Sequence, residues 1–118
     1  MTPDGFRKVA LAMQNAVEGA HMGHPDFRAN GRIFASLHAG DRTGMVKLTP
    51  EEQAVFLGEY PEMFEPSAGA WGRQGCTNVI LAAADTPTLR SAMILAWEHA
   101  AAMPAPKKRG PSRGRRRS

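Results

Sequence analysis

Several side chains in this 118-residue sequence have types and spacings that chemistry could use, and most also have a plain structural role. His21 and His24 stand three apart with Pro25 beyond them, and a zinc-type site would need further ligands such as Asp26 or His38. Isolated histidines near strand ends are ordinarily hydrogen-bonded or solvated, so no metal is expected. Cys76 is the single cysteine and opens a run that reads as a buried strand. A nucleophilic thiol needs exposure and an activating base, so Cys76 is expected to be inert. Ser36, His38 and Asp41 are the residue types of a hydrolytic triad, but nothing in the sequence supplies an oxyanion hole or a strained nucleophile turn. Glu51, Glu52, Glu59, Glu62 and Glu65 are accounted for by helix capping and the favourable field at a helix N-terminus. The chain is therefore read as non-enzymatic and without a cofactor.

Cations are the chemistry that remains. Residues 104–118, PAPKKRGPSRGRRRS, hold Lys107, Lys108, Arg109, Arg113, Arg115, Arg116 and Arg117 and no acid. Residues 1–103 keep eight cations against all eleven acids, so a body of net −3 carries a tail of net +7. A segment rich in proline, glycine and serine, with nothing larger than alanine to enter a core, cannot offset its ordering entropy and is expected to be disordered. Its natural partner is a polyanion. An anionic membrane surface and mere solvation are weaker alternatives. The lone cysteine fits a reducing cytoplasm. Asp4, Arg7, Lys8, Gln14 and Asn15 interrupt any apolar run that could act as a signal peptide or span, so no membrane association is expected.

The elements that must position the body cations follow from periodicity. Thr2 can cap a first helix with Pro3 at its opening position, and Phe6, Val9, Ala10, Met13 and Val17 form one apolar stripe that Gly19 ends. Short strands are predicted near 20–22, 26–29, 32–38 and 45–48, joined by turns too short for anything but antiparallel pairing. Thr49-Pro50-Glu51-Glu52 is a capping box for a helix carrying Ala54, Val55 and Leu57 that must stop by Tyr60, before Pro61. Residues 61–75 read as a long loop without regular structure. A buried strand over 76–81 and a last helix follow, the helix capped by Asp85 or Thr86, running to about residue 102 and facing the core with Leu89, Met93, Ala96, Trp97 and Ala100. The expected fold is α+β, a two-layer sandwich of about five antiparallel strands with helices on one face. Residues 1–103 form the domain and 104–118 the tail.

Asn30-Gly31 between strand-like runs signals a type I′ hairpin. A two-residue loop opposes Phe27 to Phe34 and Ala29 to Arg32, whereas a three-residue loop groups Phe27 with Ile33, Ala35 and Leu37 and gives a cleaner core. In either register Arg32, Phe34, Ser36 and His38 share one face, joined by Arg28 in the second. That mixture suits a nucleic-acid surface, an arginine holding phosphate and a phenylalanine stacking a base, or else a solvated outer face with one half-covered ring. Trp71-Gly72-Arg73-Gln74-Gly75 in the long loop offers Arg73 as a phosphate fork. Trp71 is read first as a lid over the core and second as a stacking platform.

Five segments, Gly23-His24-Pro25-Asp26-Phe27-Arg28, Gly31-Arg32-Ile33-Phe34-Ala35, Lys47-Leu48-Thr49-Pro50-Glu51-Glu52-Gln53, Trp71-Gly72-Arg73-Gln74-Gly75 and Ala96-Trp97, in this order and spacing resemble the MmcQ/YjbR family of small bacterial proteins. The resemblance covers roughly residues 4–103. It implies a frataxin-like (CyaY-like, "double-wing") α+β sandwich and a DNA-binding role. Members often have lysine at the position of Arg32 and an aromatic at that of Cys76; the first difference keeps the charge and the second removes a ring. Frataxins bind iron through an acidic ridge, but the first helix region here offers Asp4 and Glu18 beside Arg7 and Lys8, so iron is not carried across with the fold.

Together these readings predict a cytoplasmic, non-catalytic nucleic-acid-binding protein, DNA placed ahead of RNA, with the oligomeric state left open and a monomer favoured. The tail cations would supply attraction, Arg28, Arg32, Lys47 and Arg73 orientation, and Phe34 or Trp71 stacking. The alternative is a protein-interaction or small-ligand domain with an incidental basic tail.

Overall fold

A computed structural model describes residues 1–21, 23–38, 40 and 42–102, with His21 described by its backbone alone. The basic segment 104–118, Met22 in the first predicted strand and Asp41 of the imagined triad lie outside the described residues.

The first helix, α1 (Pro3–Leu11), begins as its sequence dictates: the Thr2 hydroxyl accepts from the Gly5 N–H and Pro3 occupies the opening turn. It stops eight residues before the predicted end. Asn15 takes a left-handed backbone (φ 61°), a conformation asparagine tolerates and a continuing helix does not. Phe6, Val9 and Ala10 are buried as expected, whereas Val17 leaves the stripe, joins a strand and is 58% exposed.

Six strands follow, β1 (Val17–His21), β2 (His24–Ala29), β3 (Arg32–Leu37), β4 (Thr43–Lys47), β5 (Phe64–Pro66) and β6 (Cys76–Ile80). They form one sheet in the order β1-β2-β3-β4-β6-β5, and every neighbouring pair is antiparallel. Three more helices complete the described residues: α2 (Pro50–Glu59), α3 (Gly69–Arg73) and α4 (Thr86–Ala102), with a 3₁₀ turn at Leu81–Ala83 ahead of α4. The class is α+β, with six strands in place of about five. The added strand and α3 both fall in the segment predicted to be irregular. A three-residue edge strand ending in proline needs little propensity, because its outer side has no ladder to complete.

The β2–β3 hairpin corrects the face assignments. Asn30 (φ 56°) and Gly31 (φ 75°) make the two-residue turn, and Ala29 opposes Arg32. Two residues later the register shifts, so Arg28 faces Ile33 while Phe27 faces Ala35. Phe34 is the extra residue of a bulge, and each of the two alternative registers describes half of the hairpin. The consequence is that Phe34 turns inward and is fully buried, Arg32 sits beside α4, and only Ser36 and His38 of the expected four remain on the outer face.

The inner face, with Phe27, Leu37, Val46 and Val79, is covered by Phe6 and Ala10 of α1 and by Leu89, Met93 and Ala96 of α4. Gly44 lets α1 approach: any Cβ there would collide with the Phe6 ring. The α2 capping box forms in full, Thr49 and Glu52 each accepting from the other's N–H. Phe56 is the buried residue of α2 and packs edge-on against Phe64 with centroids 5.2 Å apart, whereas Ala54 and Val55 are exposed. In α4 the expected face is buried except for Trp97, which is half-buried and donates from Nε1 to the Gln14 carbonyl at 2.9 Å. Asp85 caps this helix through the Thr88 N–H.

Candidate functional site

The outer face of the sheet carries a row of residues fixed by register alone. From one edge to the other, Gly19, Asp26, Ser36, Met45, Asn78 and Glu65 stand side by side. Asp26 is 1% exposed and accepts from Arg28 Nε (2.8 Å) and Nη2 (3.1 Å), two residues along the same strand and therefore on the same face. Gly19 makes this pair possible, since a Cβ there would lie 2.9 Å from Asp26 Oδ1 and 3.2 Å from Arg28 Nε. The hydrogen bonds and the charge of Asp26 hold the Arg28 guanidinium pKa above its ordinary value, and 38% of the Arg28 side chain still meets solvent.

Further along, Asn78 receives Ser67 Oγ on its Oδ1 at 2.7 Å and donates to Glu65 at 3.3 Å. His38 Nδ1 lies 2.7 Å from Thr43 Oγ1, and burial, followed by the nearby His24, lowers its pKa. Cys76 opposes Lys47; burial pushes its thiol up and Lys47 offsets part of that rise.

One rim of this face is built by the segment read as a loop. Gly72 presses its backbone against that of Ser67 so closely that a Cβ could not be accommodated. Gln53 of α2 donates from Nε2 to both the Gly72 and Cys76 carbonyls at 3.0 Å, fastening α3 to β6. This attachment presents Trp71, 63% exposed, to the outer face and not to the core, so the lid reading is corrected. Between Trp71 and the sheet runs a groove of about 500 Å³ whose wall surface is mostly apolar, with Ile33 and Met45 among its lining residues and His24 and His38 also contributing.

A second cleft, of about 390 Å³, shares Ile33 and Lys47 with the groove. Arg28 and Arg32 line it together with Lys47, and Ala96, His99 and Ala100 of α4 form another wall. Among the described residues none that lines it is acidic. His99 Nε2 is 2.8 Å from Glu52 Oε1. Burial raises the Glu52 pKa, but the Thr49 N–H and His99 outweigh it and hold the carboxyl below its usual range. Asn30 Nδ2 reaches the Ala100 carbonyl at 3.5 Å and joins the hairpin turn to the end of α4.

Of the body cations expected to act together, Arg28, Arg32 and Lys47 meet at one cleft, whereas Arg73 is exposed on α3 and lines neither cavity. Phe34 is in the core. Lys107, Lys108, Arg109, Arg113, Arg115, Arg116 and Arg117 lie outside the described residues. Sequence reasoning missed Asp26 as the partner of Arg28, although Asp-x-Arg on one strand face was the available signal. It also missed His99, Met45 and Asn78, which only the strand order and the α4 packing bring to the site. Among the described residues no group of three or more His, Cys, Asp or Glu is arranged to hold a metal, and no helix is long and apolar enough to cross a membrane. No protein-family model matches the chain, and no curated protein aligns with it significantly.

Proposed function

We propose that this chain is a non-enzymatic nucleic-acid-binding protein, frataxin-like in architecture and related to the MmcQ/YjbR proteins, acting as a monomer in the cytoplasm with DNA preferred over RNA. The observation that carries the reading is the cleft where Arg28, Arg32 and Lys47 converge with no acid among its described lining residues, the one acid bonded to Arg28 being Asp26 of the adjoining groove. Ala100 lines the same cleft, and by sequence the basic segment begins four residues later. The cationic cleft on the folded body and the cations that follow α4 in the sequence both attract phosphate. Arginine forks fix the backbone, and no base contact is needed for affinity.

Salt dependence measures this directly. Each phosphate neutralised on duplex DNA adds about −0.9 to the slope of log affinity against log salt, so the seven tail cations could give roughly −6 and Arg32 and Lys47 about −1.8 more, Arg28 already being paired with Asp26. Fluorescence anisotropy of labelled duplex DNA and RNA over a salt series is expected to give a steep slope for the full chain and a shallower one for Arg32→Glu with Lys47→Glu. Absence of binding to either nucleic acid at low salt would refute the proposal. A small-ligand domain is the second reading, favoured by the groove beneath Trp71. It predicts oligonucleotide affinity unchanged by Arg32→Glu.

A further inference from the structure

The groove and the cleft adjoin at Ile33 and Lys47, and their chemistries differ in a way that suits one kind of occupant. The groove has mostly apolar walls, an exposed indole at its rim and a volume of about 500 Å³, within the range of about 300–1,000 Å³ typical of small-molecule sites. The cleft brings Lys47 and Arg32 together with Arg28, whose partner Asp26 lines the groove. Ile33 and Lys47 belong to both, so a ligand resting against Ile33 and Met45 beneath Trp71 has its neighbouring atoms at the Lys47, Arg28 and Arg32 end. An occupant with an apolar ring at one end and an anionic group at the other fits both, since Trp71 offers a ring face to stack against. The positive cleft disfavours this chain's own basic segment in that role.

On the nucleic-acid reading, which this inference rests on, we propose that the outer face takes an unpaired nucleotide of a single strand, its base in the groove against Trp71 and its phosphate in the cleft. A duplex keeps its bases stacked inside and cannot present one to Trp71. It can use the cations alone. Polar groups that could contact base edges stand beside the groove: Asn78 and Ser36 on the floor and Ser67 near the rim. Aromatic stacking accepts any base, so the preference is for unpaired strands over paired ones.

The test compares a labelled twelve-residue single-stranded oligonucleotide with the corresponding duplex at one salt concentration, using the full chain. Trp71→Ala is expected to weaken single-strand binding by about 5- to 150-fold, the range observed for losing one aromatic–base stack, and to leave duplex binding unchanged. Trp71→Phe is expected to restore most of the loss. Trp71 is exposed, and thermal melting of each variant verifies that the fold is intact. Equal binding of single strand by wild type and Trp71→Ala, with a steep salt slope retained, would overturn the unpaired-base inference and leave the electrostatic reading standing. Displacement of the oligonucleotide by an equal concentration of a mononucleotide would overturn the assignment to a strand. Failure of both probes to bind the wild-type chain would overturn the two readings together.

Discussion

Replacing Asp26 by asparagine separates what the Asp26–Arg28 pair does for the fold from what it does for the surface. The asparagine is nearly isosteric, so Gly19 still accommodates it, but it offers one acceptor oxygen and no charge to the guanidinium. Hydrogen bonds to charged groups contribute about 1.5–3 kcal/mol. Because 38% of the Arg28 side chain meets solvent, water takes back part of that, and a loss of about 1–2 kcal/mol is expected. For a domain near 100 residues this lowers the melting temperature by roughly 4–15 °C. The effect on binding has the opposite sign. Arg28 loses its internal counter-charge while it still lines the cleft, so affinity for nucleic acid rises and the salt slope steepens by about one further phosphate, near −0.9. Circular dichroism melting and anisotropy over a salt series measure the two quantities on one preparation. If Asp26→Asn melts lower and also binds more weakly with a shallower slope, Asp26 aims Arg28 at phosphate and does not restrain it, and the argument fails.

The remaining predictions concern the core and the capping box. Phe34→Ala removes a fully buried ring from the bulge and is expected to cost about 3–5 kcal/mol of stability, with an unchanged salt slope for whatever protein stays folded; a wild-type melting temperature with reduced affinity would return Phe34 to the surface. Glu52 titrates lower in the folded state than in the unfolded one, so the stability it contributes is fully present above about pH 4.3 and is lost as pH falls through its folded value. Melting temperatures of wild type and Glu52→Gln measured from pH 3 to 7 should therefore converge in acid, and curves that stay parallel would contradict this.

What the sequence made legible was mostly local. Thr2 with Pro3, the Thr49–Glu52 box, Asp85 and the Asn30-Gly31 turn each act within four residues, and each forms as read. Non-local competition accounts for the differences. Asn15 ends α1 early, and the freed residues gain a ladder against β2. The two registers of the hairpin were set against one another because a bulge is invisible to strict alternation, although adjacent Ile33 and Phe34 were its trace. Residues 61–75 lack periodicity because their order comes from backbone approach at Gly72 and from the Gln53 amide, neither of which a hydrophobic pattern records. The convergence of Arg28, Arg32 and Lys47 depends on strand order and on where α4 lies, and their spacing along the chain carries no sign of it.

The two hydrogen bonds from Gln53 have one more implication. They tether α3 before any partner arrives, so seating a molecule under the indole does not require the segment from Ser67 to Gly75 to become ordered. Association at that rim should thus proceed as rigid docking, with a small heat-capacity change set by the area covered and none of the large signature that accompanies folding upon contact.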